Sequence, residues 1–381
     1  MMHMQEISRQ QLLKATYALS KPFLLTLADH VEPLLCEEII RIIPGKRVVA
    51  FGHWGNKAIV AKIFFGRRAQ EHHARDSKGS QALIHAKIPT PVLYHSGTAK
   101  DSAIHILIFE RIASAQNLES TRNEEIWHRL TVELATQHVL GVWQEDLHLK
   151  NFLISSDHIY TLDGADIHTI DKPLSTKESL DNLALLFSQL GITTTQLQQE
   201  LFYTYIKARG WLIEKADIRF LQTAIQQWHA KRWLKYKKKI FRSSTQFVKI
   251  KNRRMYTLYN REYDSPAFQA FLHQPEAYFT HPSTQTLKAG RTSTVISTVI
   301  DNKTYVIKRY NIKGFWHRLR KLFKPTRAQL SWTLTHQLQF NGIATAKPVA
   351  FIEKTFLGRI RTSYFIMEYI EGTRADHFFC R

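Results

Sequence analysis

Apolar and polar positions recur along this chain with a period that changes from segment to segment, and each change predicts an element. Residues 47–51 and 58–65 are rich in valine, isoleucine and phenylalanine. They flank Gly52-His53-Trp54-Gly55-Asn56-Lys57, which predicts strand, glycine-bearing turn and strand. Residues 5–44 read as helix and loop leading into that hairpin. A helix is expected over about 67–86, and Ile88-Pro89-Thr90-Pro91 marks a rigid exit into another strand. A further β-run spans 103–112. Ile126, Leu130, Leu134, His138 and Leu140 then fall near helical spacing, predicting a helix within 116–140. Ser175-Thr176-Lys177-Glu178 has the form of a capping box, ahead of a buried helix carrying Leu183, Leu185, Leu186 and Leu190. Within it Asp181 and Asn182 read as a polar face. Helical texture continues to about Lys239.

Between these helices lies the stretch with the most chemistry, residues 144–166, QEDLHLKNFLISSDHIYTLDGAD. Asp146, Asn151 and Asp163 are set around two short β-forming runs joined by Ser155-Ser156-Asp157-His158, which is turn chemistry. The pattern predicts a loop carrying Asp and Asn, a small hairpin, and a second Asp at its exit. Phosphoryl transfer from ATP needs those groups: one carboxylate to orient the acceptor hydroxyl and take its proton, and an amide oxygen with another carboxylate to hold Mg²⁺. Upstream, Lys62 stands in a strand with apolar neighbours, where an ammonium is costly unless it meets an anion.

Composition narrows the partners. Of 381 residues, 44% are hydrophobic, enough for globular domains with their own cores. The net charge of +21 implies an anionic partner: nucleic acid, an acidic membrane face or a phosphorylated substrate. Two cysteines, Cys36 and Cys380, exclude a disulfide framework and fit a reducing compartment. No apolar run is long enough to span a membrane and no signal peptide is read, so the expected location is cytoplasmic.

D-L-H-x-x-N-F-L followed by L-D-G-A-D resembles the catalytic and metal-binding loops of the protein-kinase-like fold. The His two residues after the Asp resembles the small-molecule and bacterial lipopolysaccharide core kinase (Kdo/heptose kinase) branches. Gln144 stands where the family usually has His, and Gly164-Ala165 replaces Phe-Gly. The resemblance implies an α+β bilobal fold with a β-rich N-lobe and a helical C-lobe, using ATP and Mg²⁺. It places the base on Asp146, the metal ligands on Asn151 and Asp163, and the phosphate clamp on Lys62. The partner acid of Lys62 would be Asp76, with Glu71 left open, and the strand ending in Glu110 would lead into the adenine-binding hinge. The implied acceptor is a sugar hydroxyl of an anionic glycolipid, at the cytoplasmic membrane face. A kinase of another small molecule or of protein, and a catalytically weak pseudokinase scaffold, stay open beside it. A nucleic-acid binder rests on charge alone.

The chain then repeats itself. Val60-Ala61-Lys62, Ile88-Pro89-Thr90-Pro91 and Ile108-Phe109-Glu110 return as Val306-Ile307-Lys308, Ile343-Ala344-Thr345-Ala346 and Ile366-Met367-Glu368, in the same order. A helical extension is therefore expected over 1–34. A kinase-like domain follows over 35–242, with its N-lobe at 35–112 and its C-lobe at 113–242. A second kinase-like N-lobe is expected over 243–381, and the thirteen residues after Glu368 hold no catalytic loop for it. Residues 231–254 carry eleven Lys or Arg among Trp233, Tyr236 and Phe241, read either as an anion-binding cluster or as a solvated helix end. A basic insert over 313–327 places Phe315, Leu319, Leu322 and Phe323 on one helical face, the profile of an interfacial helix on an anionic membrane.

Overall fold

The computed structural model describes residues 5–17, 19, 22–120, 123–156, 158–191, 194–212, 214–311, 325–356 and 359–372. The predicted basic helix, over 313–324, lies outside them. The chain divides into two compact units, 1–190 with 194–229, and 191–193 with 230–381.

The first unit begins with a six-residue helix α1 (Arg9–Lys14), closed by a capping box from Ser8 and Gln11. It then runs through β1 (Phe23–Leu25), β2 (Leu34–Ile43), β3 (Arg47–Trp54), β4 (Lys57–Phe64), helix α2 (Ala69–His85), β5 (Leu93–Thr98) and β6 (His105–Glu110). These strands form an antiparallel sheet in the order β1-β2-β3-β4-β6-β5. The expectation of helix and loop before residue 44 is corrected here. Leu34-Leu35-Cys36-Glu37-Glu38-Ile39-Ile40-Arg41-Ile42-Ile43 is a ten-residue strand, with register shifts after Cys36 and Ile39. Those irregularities break the period-2 alternation by which a strand is recognised in sequence. Ile59, Ala61 and Ile63 of β4 point into one core with Val48, Ala50, Ile106 and Ile108. Phe64 points to the opposite face, with Ala69 of α2 and with Leu107 and Phe109 of β6.

The rest of this unit is mostly helical: β7 (Gln116–Asn117), α3 (Glu124–Val139), β8 (Val142–Gln144), β9 (Phe152–Ser155), β10 (His158–Thr161), β11 (Ile167–Thr169), α4 (Thr176–Phe187), α5 (Thr195–Arg209) and α6 (Lys215–Lys239). Leu130, Leu134, Phe152, Leu183, Leu186, Phe187, Leu201 and Tyr205 make its core. The expected capping box opens α4, with Ser175 and Glu178 bonding each other's backbone. Asn182 is not on a polar face. It is buried, accepting from His138 Nε2 (3.1 Å) and donating from Nδ2 to the Gln144 carbonyl (2.8 Å). His138 in turn accepts at Nδ1 from Tyr205 (2.7 Å), whose hydroxyl accepts from Arg209 (3.1 Å). The division between the units falls within α6, so the basic run from 231 belongs partly to this helix and partly to the strands after it.

The second unit holds β12 (Phe247–Lys251), β13 (Met255–Asn260), α7 (Pro266–His273), β14 (Gln285–Ala289), β15 (Ser293–Ile300), β16 (Lys303–Tyr310), α8 (Arg327–Phe340), β17 (Pro348–Phe356) and β18 (Arg359–Glu368). Its seven-stranded sheet has the order β12-β13-β17-β18-β16-β15-β14. The run β14-β15-β16-β18-β17 reproduces β2-β3-β4-β6-β5 of the first unit. The register agrees too. Lys62 faces Val49 and Leu107, and Lys308 faces Val295 and Phe365. Glu110 N–H donates to Val92 (2.8 Å) and Arg111 N–H to Ala58 (3.2 Å). Glu368 and Tyr369 make the same pair of bonds, to Lys347 (3.0 Å) and Thr304 (3.1 Å).

Candidate active site

β4 alternates its side chains, so Lys62, one residue from the core-facing Ala61, turns to the face on which α2 lies. Its ammonium donates to both oxygens of Asp76, at 3.0 and 2.8 Å, and to Asp163 Oδ1 at 3.2 Å. Asp76 is fully buried. Glu71, the other acid considered, is one exposed turn earlier and pairs with Arg68. Burial alone would lower the Lys62 pKa, but Asp76 and Asp163 outweigh it and hold the ammonium protonated more firmly than usual. Burial would likewise raise Asp163, yet Lys62 and Arg47 keep it well below the ordinary carboxylate range.

Asp163 reaches this position through backbone-to-backbone packing. The buried face of α2 consists largely of small residues, Ala69, Ser77, Gly79 and Ser80. A Cβ on Gly79 would come within 1.8 Å of the Gly164 carbonyl oxygen. A Cβ on Gly164 would lie 2.3 Å from the Asp76 carbonyl oxygen and 2.4 Å from Ser80 N. Two glycines thus bring the L-D-G-A-D segment against the helix that carries Asp76. Asp163 itself takes a left-handed conformation, φ 62°, which an aspartate tolerates better than most residues.

The expected hairpin is formed by β9 and β10, with Phe152 opposite Thr161. At its open end Leu162 N–H donates to the Asn151 carbonyl (2.8 Å), which sets Asn151 beside the residue preceding Asp163. Asn151 is buried and its Nδ2 donates to the Asp146 carbonyl (3.0 Å), leaving the amide oxygen as its acceptor group. An amide oxygen and a carboxylate are hard oxygen donors of the kind Mg²⁺ takes alongside phosphate oxygens and water. The residues therefore fit a magnesium ion held by Asn151 and Asp163. The stem of the Asp146–Asn151 loop is clamped by β8 and β11, with Ile167 opposite Gln144 and Glu145 N–H donating to Asp166 (2.9 Å). Gln189 braces the loop by accepting from Leu149 N–H (3.1 Å) and donating to the Leu147 carbonyl (3.0 Å). His148 Nε2 lies 3.6 Å from Asp146 Oδ2.

Two cations here escaped the sequence reading. Arg47, at the start of β3, places Nη1 3.9 Å from Asp76 and Nη2 4.0 Å from Asp163. Its Nε is buried with no hydrogen-bond partner among the described residues. Arg41, on β2, lies within electrostatic reach of Asp163 and Asp146. Both flank the turn at residues 44–46, where Gly45 has φ 67°. Pro44-Gly45 between an isoleucine-rich run and Val48-Val49 was the available signal. The Gly55 turn lies at the other end of β3, where a Cβ on Gly55 would meet the Glu32 side chain. The remaining predicted residue, Glu110, ends β6 with its N–H already committed to Val92, so a nucleobase contact would fall to its carbonyl or to the chain beyond.

No family model and no curated protein matches the chain. Among solved structures it is similar to WaaP in complex with acyl carrier protein, at 16% identity and TM-score 0.36, covering 50% of this chain and 88% of that one. It is also similar to a putative fructosamine-3-kinase from Haemophilus somnus 129PT, at 10% identity and TM-score 0.38, over 55% and 88% of the two chains. A third likeness is to a putative aminoglycoside phosphotransferase from Ralstonia eutropha JMP134, at 14% identity and TM-score 0.35, over 55% and 86%. A strand lysine held between a helix carboxylate and the carboxylate after the Asp/Asn loop resembles the lysine–acid pairing of protein kinases, with Asp76 in place of their Glu.

Proposed function

We propose that the first unit transfers the γ-phosphoryl group of ATP to an alcohol. One observation carries this reading: Lys62 Nζ sits between Asp76 and Asp163, at 2.8 and 3.2 Å, while the hairpin joins Asp163 to Asn151 and through it to Asp146. Lys62 would hold the α- and β-phosphates, with Arg47 and Arg41 adding positive charge around the polyphosphate. Asn151 and Asp163 would hold Mg²⁺, which when bound neutralises phosphate charge. Asp146 orients the acceptor hydroxyl and takes its proton as the new O–P bond forms and the bond to ADP breaks.

The acceptor we infer is a hydroxyl of a lipopolysaccharide core sugar or related glycolipid. Its support is the D-L-H-x-x-N-F-L resemblance together with the charge of +21, which suits a phosphorylated glycolipid. The second unit, with matching strand order and register, reads as a further kinase-like N-lobe without its own chemistry. Among the described residues its Lys308 lies over the Tyr310 ring at 5.3 Å instead of pairing with a carboxylate. Trp332, on α8, is buried and donates to the Ile240 carbonyl (3.2 Å). The basic segment 313–327 reads as a contact with anionic lipid on the cytoplasmic side. Liposome co-sedimentation that survives changing Arg318, Arg320 and Lys321 together to Glu would remove that contact from the account. The function itself is tested by presenting γ-labelled ATP and Mg²⁺ with lipopolysaccharide-core, free-sugar and protein acceptors. Label in the core sugar supports the reading, and label only in another acceptor moves the enzyme to a different substrate class.

A further inference from the structure

A second cluster of titratable side chains lies on the first unit, away from the lysine–carboxylate pair. The segment after β1 is pinned along β5: Leu27 bridges Ala99, Ala28 N–H donates to Thr98 (3.0 Å), and Lys100 N–H donates to Thr26 (2.8 Å). This anchors Asp29 and His30 beside the strand that carries His95. The His95 side chain is only 6% exposed, yet its Nε2 is buried with no hydrogen-bond partner among the described residues. A buried imidazole nitrogen left unpartnered costs stability, and an ion is one of the few things that explains it. Asp29 Oδ1 stands 3.8 Å from that nitrogen, too far for a hydrogen bond, and Asp29 Oδ2 stands 4.0 Å from His30 Nε2.

One ligand atom from each of Asp29, His30 and His95 lies within 4.8 Å of the other two. Metal bonds of about 2.0–2.2 Å to imidazole and carboxylate need ligand atoms somewhat closer than this. The closing movement falls on Asp29 and His30, which are 61% and 43% exposed. A Cβ on Gly97 would sit 2.6 Å from His95 Nε2, so glycine at 97 is what lets the imidazole take this position. Trp54 closes one side, its ring 4.9 Å from that of His30 and 5.7 Å from that of His95.

We propose that Asp29, His30 and His95 form a binding site for a divalent transition-metal ion of the zinc class. Two imidazoles and one carboxylate suit Zn²⁺ and its neighbours and discriminate against Mg²⁺ and Ca²⁺, which prefer oxygen donors throughout. Three protein ligands leave at least one position to water. The site is therefore distinct in chemistry from the Mg²⁺ position at Asn151 and Asp163. Occupancy ties the loop after β1 to β5 at the sheet's edge.

The test uses the full chain, stripped with chelator and dialysed against Zn²⁺ in excess Mg²⁺, with bound metal counted and Co²⁺ absorption recorded in parallel. His73 and His105, whose rings lie 5.3 Å apart, give a second place where zinc could lodge, so the comparison includes His73→Ala. Wild type and His73→Ala should bind one tight equivalent of Zn²⁺ and show Co²⁺ bands of four- or five-coordinate geometry. The double variant Asp29→Asn/His30→Ala, altered only at exposed positions, should keep its circular dichroism and lose that equivalent, with affinity at least tenfold weaker. His95→Ala should do the same. Unchanged stoichiometry in the double variant, loss of zinc in His73→Ala instead, or no micromolar binding by wild type would each overturn the proposal.

Discussion

The pairing of Lys62 with Asp76 can be tested without any substrate. At 2.8 Å, with an effective dielectric constant of about 20, the attraction is about 6 kcal/mol before desolvation is subtracted. Both groups lose water, so the net worth of the pair is far smaller, whereas removing one partner strands the other. Asp76→Leu leaves the Lys62 ammonium with Asp163 alone at 3.2 Å. That retained contact puts the cost at the low end of the range for broken buried pairs, about 3 kcal/mol. Lys62→Met leaves the buried Asp76 facing Arg47 at 3.9 Å and costs about 3–5 kcal/mol. The double variant removes both charges and restores packing, so it should be destabilised by much less than the sum. Urea unfolding of the four proteins by circular dichroism gives the cycle, and a coupling of at least about 2 kcal/mol is expected. Additive losses would mean the two side chains do not pair in solution, and the geometry of the site would have to be redrawn.

Three further outcomes follow from single contacts. Lys62→Ala should nearly abolish turnover while Lys308→Ala leaves it within a few-fold, both read in one phosphotransfer protocol, and equal losses would place Lys308 in the active site. Gly164→Ala puts a methyl into the Asp76 and Ser80 backbone; it should cost about 1–3 kcal/mol and at least tenfold in turnover. Wild-type stability and rate would show that the loop is not wedged there. His138 is held neutral by burial, its pKa pulled from 6.5 down to about 4, so its contribution to stability is complete above pH 6.5 and lost as pH falls toward 4. At about 1.4 kcal/mol per pH unit, unfolding stability should drop by about 2 kcal/mol between pH 6.5 and 5. His138→Gln should flatten that slope, and an unchanged slope would show that His138 is not the titrating group.

How much of this was legible in sequence depended on whether a residue's neighbours were near it in the chain. The 152–162 hairpin, the Ser175 capping box and the end of α6 at Lys239 are set by local chemistry, and they stand where the pattern put them. The repeat rests on three short sequence matches, and the strands around Lys62 and Lys308 share order and register. Asn182 was misjudged, since a polar residue among leucines is amphipathic by pattern and buried only because His138 and Gln144 arrive from distant segments. Arg47 and the Gly79–Gly164 contact were hidden for the same reason: each gains its meaning from a partner about 85 or more residues away or on another element. β2 was lost to its register shifts.

In the proposed reaction the Asp146–Asn151–Asp163 loop of the first unit carries out phosphoryl transfer. The most direct test compares wild type with Asp146→Asn, measuring transfer from γ-labelled ATP and, separately, equilibrium binding of nucleotide with Mg²⁺. Removing the base while Lys62, Asn151 and Asp163 remain should lower transfer by about 10²–10⁴-fold and change nucleotide affinity little. Transfer by Asp146→Asn within tenfold of wild type would contradict the account.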